Sequence, residues 1–285
     1  MLNPELTIVI NTFNSDEKIY KCLNSINQEF KVLIIENSDN IEFKDRIEKK
    51  YSNVNCELTG QNLGYAKGNN LGLSKVTSKY ALILNPDAIL SDDALENFLK
   101  RVKNFDNFAL IGPLVQEKKD LIKRNEIHSN HNLIEVETIK GFAMFLNVKH
   151  FEEIGFFDEN FFIYFEEIDL CKRLKEIGKN IFLDPKIIID HIGGSSHNSS
   201  INFEMELSRN WHWMWSTFYF HKKHKGFIFA LMKISGKYIS ALFKTCFYLL
   251  SLNTNKRKIY FQRLSGLYNS IIGKKSWYRP KISKY

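Results

Sequence analysis

Tyr80-Ala81-Leu82-Ile83-Leu84-Asn85-Pro86-Asp87 is the stretch on which the fold turns. A short apolar run closed by a turn signal predicts a fully buried strand of a parallel sheet. Pro86 has no N–H for a ladder and ends the strand. Asp87 is thereby expected at the carboxyl end of a central strand, where open α/β sheets place ligands. Two readings of Asp87 stand at this point. It holds a hard divalent cation against a diphosphate, or it is a plain turn former after Asn-Pro.

The flanking sequence repeats the pattern. Residues 6–12 predict a strand, and Asn14-Ser15-Asp16-Glu17 opens a helix with Ser15 as its cap and acids at its positive end. Residues 31–36 predict a second buried strand, ending in Glu36-Asn37-Ser38-Asp39. A polar helix to about Tyr51 and a short strand at 54–58 follow. Gln61 to Asn70 is a Gly- and Asn-rich turn entering a helix, and it is neither a GxGxxG nor a P-loop. After Asp87, Ser91-Asp92-Asp93 starts another helix. Strand alternating with helix four times means βαβ units and a mostly parallel sheet, with three strand ends available to one crevice.

Farther along, residues 108–115 predict a strand, 116–138 a polar mobile loop and 139–147 an apolar strand. A helix beginning near Glu166 is stopped by Gly178. Residues 181–190 predict two short extended pieces, followed by His191-Ile192-Gly193-Gly194-Ser195-Ser196.

Composition bounds the rest. The 285 residues, 44% hydrophobic and 25% charged, suit one large α/β domain with an appendage. Cys22, Cys56, Cys171 and Cys246 form no CxxC pair, which suits a reducing compartment and no cysteine zinc site. The chain enters Leu6-Thr7-Ile8-Val9-Ile10 without a basic region or cleavage site, so no signal peptide is expected. Charge is uneven: no Asp or Glu follows Glu206, whereas 16 of the 40 Lys and Arg do. Such asymmetry predicts a tail that meets an anionic surface.

Glu166, Glu167 and Asp169 crowd the first turn of one helix. Dipole complementarity accounts for one or two acids there. It does not account for Phe161, Phe162, Tyr164 and Phe165 just before them. A carboxylate among apolar rings is partly desolvated, its pKa rises, and it suits general-base work. His191, at a strand end before Gly193-Gly194, is either structural or a metal or phosphate ligand.

In order, Asn-x-Gly-Tyr-x-x-Gly-Asn-Asn, Leu-Asn-Pro-Asp, Gly-Phe-Phe-Asp-Glu-x-Phe-Phe-x-Tyr-Phe-Glu-Glu-x-Asp-Leu-Cys-x-Arg-Leu and a late His resemble glycosyltransferase family 2. They look most like its bacterial rhamnosyltransferase-type branch, over about residues 6–225. The resemblance implies the Rossmann-like GT-A fold, a mostly parallel sheet flanked by helices, here with a C-terminal helical basic extension. It also implies transfer of a sugar, with inversion, from a nucleotide diphosphate donor (dTDP- or UDP-linked) using Mg²⁺ or Mn²⁺. By position, Asp87 and His191 are the implied metal ligands. Glu36 stands where the family has an Asp that meets the nucleoside. Asn62, Gly64 and Asn70 lie on the donor-binding turn, and Thr12, Asn14 and Asn85 complete the donor set. Glu167 is the implied base, with Glu166 and Asp169 as rivals, and Asp158 and Glu159 support the acceptor side. The other functions weighed are a sugar nucleotidyltransferase, for which Ile10-Asn11-Thr12-Phe13-Asn14 lacks a Gly- and basic-rich triphosphate loop, and a non-catalytic sugar-nucleotide-binding scaffold.

The division expected is a catalytic domain over 1–204 and an extension over 205–285. Trp211, Trp213, Trp215, Phe218, Tyr219 and Phe220 precede His221-Lys222-Lys223-His224-Lys225. The apolar run from Phe227 to Leu252 carries Lys233, Lys237, Ser240 and Lys244 on one helical stripe. A spanning helix would bury three lysines at roughly 2.5–3.5 kcal/mol each. An in-plane helix keeps them among anionic headgroups, and the competing arrangement is a helical hairpin packed on the domain. The expected partners are a nucleotide-sugar donor, a saccharide or lipid-linked saccharide acceptor and an anionic membrane surface, without nucleic acid. The expected place is cytoplasmic, peripheral at the inner face of the cell membrane, in cell-surface polysaccharide synthesis.

Overall fold

The computed structural model describes residues 2–103, 105–116, 133–191 and 201–281. The chain forms two compact units. One comprises Met1–Leu63, Lys67–Phe157 and Leu170–Asn198; the other comprises Gly64–Ala66, Asp158–Asp169 and Ser199–Tyr285.

The first unit is built on a nine-stranded sheet of order β3-β2-β1-β4-β8-β6-β9-β5, with β7 on β9. Strands β1 (Leu6–Thr12), β2 (Lys31–Glu36), β3 (Val54–Leu58) and β4 (Tyr80–Leu84) have the expected bounds. They pair in parallel, with β1 between β2 and β4. Their apolar residues are buried on both faces, as a parallel sheet requires. Helices α1 (Asp16–Asn24), α2 (Ile41–Lys50) and α4 (Ala94–Val102) bury Ile19, Phe43, Ile47 and Phe98 in the same core as Ile8, Ile34 and Leu82. Phe98 stacks on Phe145 of β8 (Ala143–Asn147) at 4.7 Å. Each such side chain contributes about 1.5–3 kcal/mol by burial.

Several elements differ from expectation. Ser15 occupies the N-cap of α1 but makes no side-chain cap bond. Strand β6 runs Leu110–Gln116, and a two-residue strand, β7 (Ile134–Glu135), lies within the stretch expected to be loop. Most of that stretch, and Gly193-Gly194, fall outside the described residues. The two pieces expected at 181–190 are one strand, β9 (Ile181–His191), which pairs with β6 across a register shift between Pro113 and Leu114. β9 also receives β5 (Ala88–Leu90), which is too short to leave a sequence period. Helix α3 (Gly64–Leu73) follows the Gly- and Asn-rich turn, and α5 (Glu166–Glu176) ends before Gly178, whose φ of +71° stops it.

The second unit is led by three helices rather than a hairpin: α6 (Asn202–Lys225), α7 (Phe227–Leu250) and α8 (Thr254–Ile271). Most of the α6 aromatics face inward. Trp211 is fully buried and donates its indole N–H to Ser265 Oγ, and Trp215 donates to the Lys274 carbonyl. Buried indoles need such partners. Gly266 of α8 lies so close to α6 that a Cβ there would stand 2.1 Å from the Trp211 carbonyl oxygen.

Gly266→Ala should therefore push α8 off α6 and cost about 1–3 kcal/mol, seen as a lowered Tm. Gly236→Ala, in an α7 interior with open space around it, should instead raise stability by about 0.5–1 kcal/mol. Equal melting of the two variants would refute the close-packing account.

Candidate active site

In the first unit, the parallel trio β2-β1-β4 brings Thr12, Glu36 and the Asn85–Asp87 turn to one edge of the sheet. Thr12 Oγ1 donates to Glu36 Oε2 at 2.5 Å, and the Asn14 N–H reaches Oε1 at 3.4 Å. Asn14 has φ +49°, a conformation Asn tolerates. Burial raises the Glu36 pKa, while bonds from Thr12, Ser38 and the Asn14 N–H pull it back. Beside it, Asn37 was not anticipated. Its Nδ2 donates to Asn11 Oδ1 and to the Thr12 carbonyl, and its Oδ1 accepts from the Leu63 N–H. It ties β1, β2 and the Asn62 turn together. Asn62 is half-buried on that turn. The Asn70 amide closes two hydrogen bonds with the Phe157 backbone.

Asp87 is 4% exposed, and neither carboxylate oxygen has a hydrogen-bond partner among the described residues. An uncompensated buried carboxylate is costly. Pairing of Ala88 with His191 sets the His191 Nε2 3.4 Å from Asp87 Oδ1, and Phe142 stacks on the imidazole at 4.5 Å. Asn85 is anchored by its N–H to the Phe142 carbonyl. The Asp87 charge reaches Cys22, whose thiol pKa is raised by burial first and then by Asp87. An orphaned carboxylate facing an imidazole fits a divalent cation, and an oxygen–nitrogen pair suits Mn²⁺ better than Mg²⁺. No group of three or more His, Cys, Asp or Glu is placed to hold a metal among the described residues, so the remaining ligands would come from phosphate and water.

In the second unit, Gly64 is explained by its own surroundings: φ is +82°, and a Cβ would meet Phe162 at 2.4 Å. The Tyr65 N–H donates to the Phe162 carbonyl. Tyr164 and Phe165 have φ of +72° and +71°. Two consecutive side-chain-bearing residues in the left-handed region hold strain of about 1–3 kcal/mol each, the kind that clusters at functional sites. Tyr164 packs edge-on against Trp213, and Phe165 lies against Phe220.

This strained pair leads into Glu166 and Glu167. Burial raises both carboxyl pKa values, and the Glu167 charge adds to the rise at Glu166. Glu166 is buried with Oε2 unpartnered among the described residues, whereas Glu167 is half-exposed. The Tyr65 phenol is pushed well up by burial and by these two acids. Asp169 differs from them. It is fully buried, with Lys223 Nζ at 2.7 Å and His224 Nε2 at 2.8 Å. Lys223 also bridges to Asp158, whose pKa is raised by burial but lowered further by Lys223 and Asn160, for a net fall. Lys223 and His224 lie in the run expected to serve only a surface. Local spacing carries no signal for them, because Lys223 meets Asp158 65 residues upstream and His224 meets Asp169 55 residues upstream.

Residues 7–171 match glycosyl transferase family 2. The match covers more than half of the chain, and the chain belongs to that family. Among curated proteins, it is 28% identical over 166 residues to the low-salt glycan biosynthesis hexosyltransferase Agl10 of Haloferax volcanii, covering 50% of this chain and 52% of that protein. The chain thus spans about half the length of that relative. It is 25% identical over 189 residues to the rhamnosyltransferase WbbL of Escherichia coli K12, covering 54% and 69%. A solved mannosyltransferase, PcManGT from Pyrobaculum calidifontis with GDP-Man and Mn²⁺, superposes with a TM-score of 0.59 over 96% of this chain and 90% of its own, at 11% identity. That likeness is one of fold, and the mostly parallel sheet flanked by helices is GT-A-like.

Asp87→Asn should abolish the metal-dependent part of nucleoside diphosphate binding, measured by calorimetry with Mn²⁺. Without metal its Tm should match or exceed wild type, because an uncompensated buried charge has been removed. Unchanged affinity in the presence of Mn²⁺ would remove Asp87 from the site.

Proposed function

We propose that the chain transfers a sugar, with inversion, from a nucleotide diphosphate donor to a saccharide or lipid-linked saccharide acceptor. The observation that carries this is the buried, unpartnered Asp87 carboxylate facing His191 at the end of β4, within a family 2 chain. Thr12, Asn14, Glu36, Asn62 and Asn85 are assigned to the donor, and Asn70 supports that loop. Asp87 and His191 would hold Mn²⁺ or Mg²⁺, which supplies charge neutralisation for a departing diphosphate. The acceptor hydroxyl oxygen bonds to the anomeric carbon as the bond from that carbon to the diphosphate oxygen breaks, and the hydroxyl proton passes to a carboxylate. The nucleotide diphosphate leaves with the bonding pair. Likeness to the rhamnosyltransferase WbbL supports a rhamnosyl donor; dTDP and UDP are the nucleotides considered.

Glu167 is assigned as the base because it is the accessible member of a desolvated pair. Glu166, raised further by the Glu167 charge, holds its proton more tightly than a base should, and Asp169 is drawn off by Lys223 and His224. In this reading residues 1–204 carry the chemistry and 205–285 the attachment, with Lys223 and His224 as the exception.

Glu167→Gln should leave donor binding intact and cut transfer by about 10²–10⁴. Full turnover in that variant, with loss in Glu166→Gln or Asp169→Asn, would move the base. A base with a raised pKa loses activity as pH falls through that value. The acid limb of the wild-type rate profile should therefore lie above the ordinary carboxylate value of about 4.3, because burial disfavours the ionised Glu167.

Attachment is assigned to an anionic membrane at the inner face of the cell membrane. No helix among the described residues is long and apolar enough to cross a membrane. Helix α7 buries Ala230, Ile234 and Ala241 and exposes Ile228, Met232, Ile239, Phe243, Phe247 and Leu250 on its other face. Two of its three lysines are less free than expected: Lys237 lies 5.1 Å over the Trp213 ring and Lys244 5.0 Å over Tyr260. The apolar face thus carries more of the attachment than the lysine stripe. Replacing Ile239, Phe243 and Phe247 by Ser should abolish sedimentation with anionic vesicles; persistence of binding in the triple variant would rule this face out.

A further inference from the structure

Next to the strained Tyr164, the second unit holds a cavity of about 370 Å³ lined by Tyr164, Glu206, Arg209, Asn210, Trp213 and Arg263. Trp213 forms an aromatic wall, met edge-on by Tyr164 at 5.3 Å and covered on one side by the Lys237 ammonium. Arg263 Nε donates to Asn210 Oδ1 at 2.6 Å. Neither its remaining N–H groups nor any of those on Arg209 have a hydrogen-bond or ion-pair partner among the described residues. Glu206, the one acid in the lining, is exposed at the rim. Burial, Lys233 and Arg263 together lower the Lys237 pKa, the mark of a locally positive site. Arg263 also lies 5.3 Å over the Tyr260 ring, which holds its plane; half-buried guanidiniums with N–H groups to spare suit a phosphate.

Helix α8, which supplies Arg263 to the cavity, also forms with α7 an apolar groove of about 690 Å³. Leu231, Ile234 and Tyr238 of α7 face Phe261, Leu264 and Leu267 of α8. Tyr238 follows Lys237 in the chain, and Leu264 follows Arg263. Cavity and groove thus share α8, and α7 meets both, with Tyr238 in the groove and Lys237 over the Trp213 wall of the cavity. A site of this size and lining fits a hydrocarbon chain, and the cations beside it select an anionic one.

We infer that the Arg209–Arg263–Trp213 cavity binds the diphosphate of a lipid-linked acceptor whose hydrocarbon chain lies in the α7–α8 groove. This rests on the proposed function and names how its acceptor is held. An acceptor is favoured over bulk membrane lipid because the cavity is walled by Tyr164, two residues before Glu166. Arg209, Arg263 and Lys237 set against Glu206 leave two net positive charges, which match the two negative charges of a diphosphate esterified at both ends.

The test uses the full chain in EDTA, following Trp fluorescence and calorimetry. The probes are farnesyl diphosphate, inorganic diphosphate, farnesol and a short-chain phosphatidylglycerol. Farnesyl diphosphate should bind about ten-fold or more tighter than each of the others, since hydrogen bonds to charged groups are each worth roughly that factor. Arg209→Gln with Arg263→Gln should weaken it about ten-fold or more while leaving farnesol unchanged. Should the Gln pair melt early, Arg209→Lys with Arg263→Lys keeps the charge without the fork and should still bind more weakly than wild type. Wild-type affinity in both pairs overturns the inference, as does farnesol or phosphatidylglycerol binding as tightly as farnesyl diphosphate. Asp87→Asn should bind farnesyl diphosphate normally; loss there places the probe in the donor region and also overturns it. In a separate titration without EDTA, nucleoside diphosphate binding with Mn²⁺ should persist in the Gln pair. Its absence from wild type would sink the donor assignment and leave the cavity result standing.

Discussion

Strand β1 is hydrogen-bonded on both edges, to β2 and β4, and Ile8, Val9 and Ile10 are fully buried. That double pairing is the constraint on which the first unit depends. A one-residue slip on either edge would exchange the side chains packed on one face with those packed on the other. The register is therefore held, with Thr12 opposite Glu36 and Ile10 opposite Leu84. The polar residues that follow each strand come out level because the apolar residues before them cannot shift.

Buried charges divide by whether they are answered. Asp184 meets Arg101 at 2.6 Å, and Asp158 and Asp169 share Lys223. Asp87 and Glu166 keep carboxylate oxygens without a hydrogen-bond partner among the described residues, with His191 3.4 Å from Asp87. Buried polar groups are normally satisfied, so orphans need a reason. Both orphans lie in the segments assigned to chemistry: one beside an imidazole, the other beside a second carboxylate that raises its proton affinity. Stability alone would have filled or removed them.

The helical unit shows how one composition serves different ends. Trp211 and Trp215 are buried with their indole N–H groups bonded, while Trp213 is 38% exposed as the wall of a cationic cavity. The aromatic run expected to mark a membrane edge is for the most part a packed core. The outward apolar surface lies one helix later, on α7, where Ile239 and Phe243 are 65% and 70% exposed. Among the basic residues, Lys223 and His224 hold Asp169, and Lys237 and Lys244 rest on aromatic rings.

The sequence by itself determined the parallel core and the place of Asp87 at its edge. Continuous apolar runs in β1, β2 and β4 can only be buried strands, and Pro86 ends the last of them, so Asp87 had to stand at a strand end. The desolvation of Glu166 and Glu167 was legible in the rings before them. Tertiary structure alone decided β5 and the unbroken β9, because three residues carry no period and pairing supplied what propensity did not. It alone decided that His191 faces Asp87, since that meeting depends on the antiparallel register of β5 and β9 across about a hundred residues of chain. It alone drew Asp169 into an ion pair with Lys223 and His224, and set Arg209 and Arg263 around Trp213. Local sequence sets which residues are buried and where the chain turns; which distant charges meet is set by packing, because a charge interacts through space with whatever the folded core brings near it.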